Sequence, residues 1–189
     1  MSALFPDHIT DLAEQVLVAA RERGLTLRTA ESCTGGLIAG ALTSIAGSSD
    51  VFDRGFVTYA NEAKRDMLGV PEDMLEKYGA VSPQVAEAMV AGALQKCLIL
   101  SPPAPVKTGV EDESLDQDEK SIIALSVTGI AGPGGGTADK PVGLVWFGIG
   151  GTGCSPRSEK IIFPDEGRNA IRMAAVEHGL KMLHLRVTI

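Results

Sequence analysis

The sequence predicts an α/β fold of three layers, α/β/α, around a mixed and mostly parallel sheet. Three observations predict it. Segments with apolar residues every three to four positions alternate along the chain with short apolar, β-branched runs. The richest of those runs, Ile122 to Val127, reads as a central strand. The last two runs, 142–149 and 157–163, flank Gly150-Gly151-Thr152-Gly153 and read as a hairpin, which makes the sheet mixed. The chain of 189 residues fits one domain, 1–189, with an acidic insertion at about 102–120. A chain of that size buries roughly 70% of its unfolded surface, enough for a core without staples.

The elements follow in order. Ile9, Leu12, Val16, Leu17 and Ala20 give residues 8–23 an amphipathic helix, stopped at Gly24. Leu25 to Ala30 reads as a strand, Glu31 to Gly36 as a turn, and Leu37 to Ile45 as a helix that opens from it. Val51 to Tyr59 is a second strand. Asn61 is a good N-cap type for a helix over Glu62–Leu68, which Gly69-Val70-Pro71 ends. Glu72 to Tyr78 is a short helix. Ser82-Pro83, a capping hydroxyl before proline at the first helical position, starts another that runs to about Leu98. Asp165 to Leu185 is the last, long helix, with Ile171, Ala174, Ala175, Leu180 and Leu183 inward. Pro102 to Lys120 differs from its surroundings: two lysines and six acids give it −4 of the chain's −7, and it reads as a solvated, mobile loop.

Composition narrows the function. A net charge of −7 is a poor footprint for a nucleic-acid partner. No apolar run approaches the ~18 residues of a membrane span. The N-terminal stretch lacks the basic and apolar regions of a signal peptide. Three scattered cysteines, Cys33, Cys97 and Cys154, point to a reducing compartment, so a cytoplasmic location is expected. His8, His178 and His184 have no metal-ligand spacing; neither a metal nor a cofactor is expected.

Two segments carry candidate chemistry. Thr29 to Gly36 lies between a strand and a helix, where free backbone N–H groups and the helix dipole stabilise an anion. Ser32 and Cys33 are both candidate nucleophiles there, although Ser32 or Thr34 can equally be a simple helix cap. Neither a Walker string nor a Gly-x-Ser-x-Gly elbow is present. Lys64 falls in the first turn of the helix after Asn61, where the dipole favours a neutral amine. A neutral lysine is a base for serine; a solvated lysine paired with an acid is the other reading. Tyr59 sits just upstream, to orient a base or substrate or to be half-buried in a strand. The second segment is the glycine-rich loop Thr128 to Thr137, beyond the strongest strand, where open α/β sheets bind ligands. Arg168 and Arg172, four apart on the last helix, either neutralise a phosphate or pair with Asp165 and Glu166.

Taken together, several strings resemble the CinA C-terminal family, the nicotinamide-nucleotide amidases. They are Thr-Ala-Glu-Ser-Cys-Thr-Gly-Gly at 29–36, Ile-Ala-Gly-Ser-Ser at 45–49 and Arg-Gly-Phe-Val-Thr-Tyr-Ala-Asn-Glu-Ala-Lys at 54–64. Gly-Ala-Val-Ser at 79–82, Thr-Gly-Ile-Ala-Gly-Pro at 128–133 and Lys-Pro-Val-Gly-Leu-Val-Trp at 140–146 follow, with Arg-x-x-x-Arg at 168–172. The resemblance implies hydrolysis of the carboxamide of nicotinamide mononucleotide to nicotinic acid mononucleotide and ammonia. It implies Ser32 as nucleophile and Lys64 as base, with Tyr59 nearby. The expected substrate site adds Cys33, Thr34, Gly35 and Gly36, with the N–H groups around Cys33 to Gly35 facing the oxyanion, and Thr128, Gly129, Ile130, Ala131, Gly132 and Arg168 around the ribose-phosphate. The expected partner is a small-molecule nucleotide, with neither nucleic acid nor membrane, in a homo-oligomer whose simplest form is a dimer. The rival readings are a non-catalytic nucleotide-binding module and an accessory protein of competence or DNA damage. The insertion departs from the family pattern; an acidic lid would repel an anionic substrate, so the loop is expected to point away from the site.

Overall fold

The computed structural model describes residues 4–95 and 121–189. The acidic stretch 102–120 and Cys97 lie outside the described residues. Helix α1 spans Asp7–Glu22, strand β1 Thr26–Glu31 and helix α2 Leu37–Thr43. After a 3-10 turn at Ser48–Asp50 come β2, Phe52–Val57, and the helices α3, Asn61–Leu68, α4, Glu72–Tyr78, and α5, Pro83–Leu94. The described chain resumes with β3, Ile122–Gly129, β4, Leu144–Gly151, β5, Cys154–Ile162, and α6, Arg168–Thr188.

The five strands stand in the order β2-β1-β3-β4-β5. β1 pairs parallel with β2 and β3, while β4 is antiparallel to both β3 and β5. Four of the five strands therefore point the same way and β4 alone runs counter, as the hairpin required. β1 and β3 are buried along almost their whole length because helices cover both faces. On one face Leu27, Leu125 and Phe147 meet Ile9 and Leu17 of α1, Ile38 of α2 and Leu180 of α6. On the other, the small residues Ala30 and Ala124 meet Leu68, Leu75, Val85 and Met89 of α3, α4 and α5. That second face is packed at very short range. A side chain at Gly148 would stand 2.6 Å from the Ala86 carbonyl of α5. One at Gly92 of α5 would collide with the backbone of Leu68, so α3 crosses α5 at the closest approach the chain allows.

Three local expectations need correction. Asn61 is the first residue of α3 and not its cap; Ala60 takes the cap position without a side-chain bond. The chain leaves β2 extended through Thr58-Tyr59-Ala60, so the helix begins one residue early. β5 starts at Cys154, well before 157–163, after a tight turn at Thr152-Gly153. Its outer face is polar and wet, which hides its strand character. Pro156 is tolerated because the strand is an edge. α5 ends at Leu94, with Gln95 already extended. Residues 96–98 lie outside the described chain.

Arg28 of β1 closes that end of α5. The residue is 6% exposed, and its guanidinium donates to the carbonyls of Ala93, Leu94 and Gln95 and meets Asp53 Oδ2 at 2.7 Å. Burial alone would raise the Asp53 pKa, but hydrogen bonds from Arg54 and Arg28 outweigh it and hold the carboxyl below 3.8. Arg28→Met strands these acceptors. It should cost about 2–3 kcal/mol, a fall of roughly 5–10 °C in a thermal melt.

Candidate active site

β2, β1 and β3 end side by side at Val57, Glu31 and Gly129. The loops that follow them meet at this one edge, the place where parallel strands present their ligands. Ser32 extends β1 by one residue, its N–H donating to the carbonyl of Val127 at 2.9 Å. Lys64 reaches the same point from α3 and is 1% exposed, the largest fully buried side chain among the described residues.

The lysine amine has three neighbours. Nζ lies 3.1 Å from Ser32 Oγ, 2.9 Å from the Thr58 carbonyl and 3.4 Å from that of Tyr59. A carbonyl oxygen only accepts, so both carbonyls must face N–H bonds. A neutral amine has two such bonds and one lone pair. With both bonds taken, the lone pair is left for the hydroxyl of Ser32. In the charged form a third N–H takes that place and donates to Ser32 Oγ.

Burial is the main cause that lowers the Lys64 pKa from 10.5; Cys33 and Glu62 oppose it. The Cys33 thiol is itself buried and pushed up to about 12, so at neutral pH it carries no charge to oppose the shift. The same value removes Cys33 as a thiolate nucleophile. A depressed lysine has a defined effect on stability. As pH falls below 10.5 the unfolded chain takes up the Lys64 proton first, which favours unfolding. The cost grows until the folded pKa is passed and is fully present below it. Lys64→Met should therefore flatten the rise of the melting midpoint toward alkaline pH; at pH 7 the relief of the desolvated amine is set against the Thr58 and Tyr59 carbonyls left without a donor.

The turn after Ser32 is built differently from expectation. Glu31, 1% exposed, fills the N-terminus of α2 with its own carboxylate. Oε2 accepts from Thr34 Oγ1 at 2.8 Å and from the N–H groups of Gly36 and Ile38, and Oε1 accepts from Ala39 N–H at 2.8 Å. α2 has no acid in its first turn and no side-chain cap of its own. Glu31 supplies both. The helix end is thus closed to an outside anion, and Gly36 N–H and the Thr34 hydroxyl face inward. Gly35 N–H closes a turn onto the Ser32 carbonyl at 3.1 Å. Among the described residues no backbone acceptor takes the N–H of Cys33 or Thr34, which leaves these two as the available donors next to Ser32.

The glycine-rich loop lies across the edge from Ser32. Thr128 is buried and donates its hydroxyl to the Ala80 carbonyl at 2.9 Å. Gly129 pairs with Val145 in the β3–β4 ladder. Ile130 N–H donates to the Leu144 carbonyl and its own carbonyl accepts from Gly143 N–H. Ala131 is buried, and Gly132 turns at φ +74° before a cis bond to Pro133. Arg168, first residue of α6, ties this loop to the site: Nη1 donates to the Gly132 carbonyl at 2.8 Å and Nη2 to Tyr59 Oη at 2.9 Å. The Tyr59 side chain is largely open to solvent, and its backbone carbonyl is what faces Lys64. Arg172, one turn on, donates to the carbonyls of Cys33 and Thr34. Among the described residues neither arginine pairs with a carboxylate, so the surface pairing with Asp165 or Glu166 does not form. The geometry brings a serine hydroxyl, a buried amine and two N–H groups to one strand edge rimmed by arginine.

Known proteins share this arrangement of chain. The family model described as the CinA C-terminal domain matches residues 9–99 and 113–187, which leaves 100–112 between the two stretches. A protein of Enterobacter agglomerans named nicotinamide-nucleotide amidohydrolase PncC is 44% identical over 171 residues, 90% of each chain. The Escherichia coli protein of the same name is 41% identical over 175 residues, 93% of this chain and 92% of that one. A CinA-like protein of Syntrophobacter fumaroxidans is 48% identical over 164 residues, but they are only 33% of its length. Among solved structures, the competence/damage inducible protein CihA of Agrobacterium tumefaciens superposes with a TM-score of 0.82 at 44% identity, covering all of both chains. With the family model matched over 9–99 and 113–187, which takes in 113–120 of the stretch expected as an insertion, and relatives of 41–44% identity covered to 90% or more, the chain belongs to the CinA C-terminal domain family.

Proposed function

We propose that this protein is an amidohydrolase that converts nicotinamide mononucleotide to nicotinic acid mononucleotide and ammonia, with Ser32 as nucleophile and Lys64 as base. The observation that carries the mechanism is the buried amine of Lys64 held 3.1 Å from Ser32 Oγ by two carbonyls. The substrate rests on the relatives of matching length, whose names state that activity.

The Ser32 hydroxyl gives its proton to Lys64 Nζ while Oγ bonds to the carboxamide carbon. The N–H groups of Cys33 and Thr34 take the developing oxyanion; one such donor is worth about 3–4 kcal/mol. The oxyanion collapses, the C–N bond breaks, and Lys64 returns its proton to the leaving ammonia. Water then attacks the acyl-enzyme, Lys64 takes one of its protons and hands it to Ser32 as the acyl C–O bond breaks, and the carboxylic acid leaves and gives its remaining proton to solvent. The 128–132 loop and the free edge of Arg168 hold the ribose-phosphate, and Tyr59, tethered to Arg168, borders it.

Ammonia release from nicotinamide mononucleotide by purified protein tests the proposal; a silent enzyme that still binds the nucleotide overturns the substrate or the activity. The pH profile tests the base. kcat/KM should rise with pH and level off at a midpoint below 10.5, because Lys64 acts only when neutral. The unpaired thiols Cys33 and Cys154 support a cytoplasmic setting. A homodimer is the expected assembly, to be read by analytical ultracentrifugation.

A further inference from the structure

We propose that Arg172 is a positioning residue that sets the oxyanion donor Thr34 N–H from the far end of the chain. The proposal rests on Ser32 as the nucleophile. Arg172 Nε donates to the Cys33 carbonyl at 3.1 Å and Nη2 to the Thr34 carbonyl at 2.8 Å, across 138 residues of sequence in the second case. A trans peptide is planar, and its C=O and N–H point in opposite directions. The Cys33 carbonyl and the Thr34 N–H belong to one peptide. Drawing the carbonyl toward α6 turns the N–H away from α6. The Thr34 carbonyl is drawn the same way, and its partner, Gly35 N–H, is found turned back onto the Ser32 carbonyl. One guanidinium therefore fixes two successive peptides, and the donor left without a backbone acceptor is the Thr34 N–H.

The surroundings fit that role. Among the described residues no carboxylate neutralises Arg172, so its charge remains near the turn where an oxyanion forms. Gly35 has φ +62°, and a side chain there would begin 3.2 Å from Arg172 Nη2. The glycine thus serves both the turn and the seat of the guanidinium. Glu31 holds the opposite side of the same turn through Thr34 Oγ1 and Gly36 N–H. Without Arg172 the Thr34–Gly35 peptide keeps its bonds from Leu37 N–H to the Thr34 carbonyl and from Gly35 N–H to the Ser32 carbonyl, but the Cys33 carbonyl, on the same peptide as the Thr34 N–H, loses its partner.

The test uses a serine-reactive fluorophosphonate on the full-length protein, with labelling of Ser32 followed by intact mass across pH. In that reaction Ser32 Oγ bonds to phosphorus, fluoride leaves, the serine proton goes to Lys64, and the phosphoryl oxygen occupies the oxyanion position. Arg172→Met should lower the plateau rate about 10–100-fold, as for a displaced oxyanion donor, with the pH midpoint unchanged because Lys64 and Ser32 stay in place. Arg172→Lys, which reaches one carbonyl and guards against a folding defect, should fall between. A wild-type plateau in Arg172→Met overturns the proposal. So does a loss accompanied by a shifted midpoint, since that marks general disturbance of the Ser32–Lys64 pair. No labelling of Ser32 in the wild type overturns the nucleophile assignment itself. Wild-type labelling without release of ammonia from nicotinamide mononucleotide overturns the substrate alone and leaves Arg172 its role.

Discussion

Ser32→Ala and Lys64→Ala should each lower the rate of ammonia release by about 10³-fold or more, and the double variant should be little worse than either. The reason is that the two groups act as one unit. Without Lys64, Ser32 keeps its proton at neutral pH and is a weak nucleophile. Without Ser32, the buried amine has no hydroxyl to activate. The two losses differ in what accompanies them. Ser32→Ala removes one small hydroxyl and should leave the fold intact. Lys64→Ala also empties the space of a long buried side chain, so Lys64→Met is the better control for packing. Initial rates of ammonia release, with the pH profile of each variant, decide the point. Additive losses would mean that the two side chains act separately, and the Ser32–Lys64 unit would have to be given up.

Glu31→Ala should destabilise the protein by about 3–5 kcal/mol, since it leaves the buried Thr34 hydroxyl and Ile38 N–H, and the partly buried N–H groups of Gly36 and Ala39, without their acceptor. For a chain of this size that is roughly 10 °C in melting midpoint. Glu31→Gln should be milder, about 1–3 kcal/mol. Its amide still offers one oxygen to the three donors on Oε2, but its NH2 must then face Ala39 N–H. Both variants should also lose turnover, because the turn they loosen begins at Ser32. Thermal denaturation beside steady-state kinetics checks this. An Ala variant that melts with the wild type would show that water replaces the carboxylate and that Glu31 does not hold the turn.

The layers were legible because helix and strand periods are local, and Ile9 to Ala20 or Ile122 to Val127 declare themselves without knowledge of the rest. Strand β5 was less so, because its exposed face reads as loop. The site was legible in its residues but not in its wiring. Ser32 and Lys64 are 32 positions apart, and no spacing rule joins them; the resemblance did. The role of Glu31 was missed, although a signal existed: α2 opens with neither a cap nor an acid, and a glutamate stands at the end of the strand before it. The partners of Arg168 and Arg172 are backbone carbonyls of distant loops. Carbonyls leave no trace in sequence, so these bonds were out of reach.

The crossing of α3 over α5 at Gly92 bears on how the protein tolerates mutation. Lys64 extends from α3, and α3 is set by the contact of Leu68 with a glycine that touches no reacting group. Any side chain at 92 lifts α3 from its seat and withdraws the amine from Ser32. A saturation map scored by turnover should therefore mark position 92 beside 32 and 64. On such a map distance from the chemistry is a poor guide to constraint, because the reach of one lysine is fixed by the absence of a methyl group elsewhere.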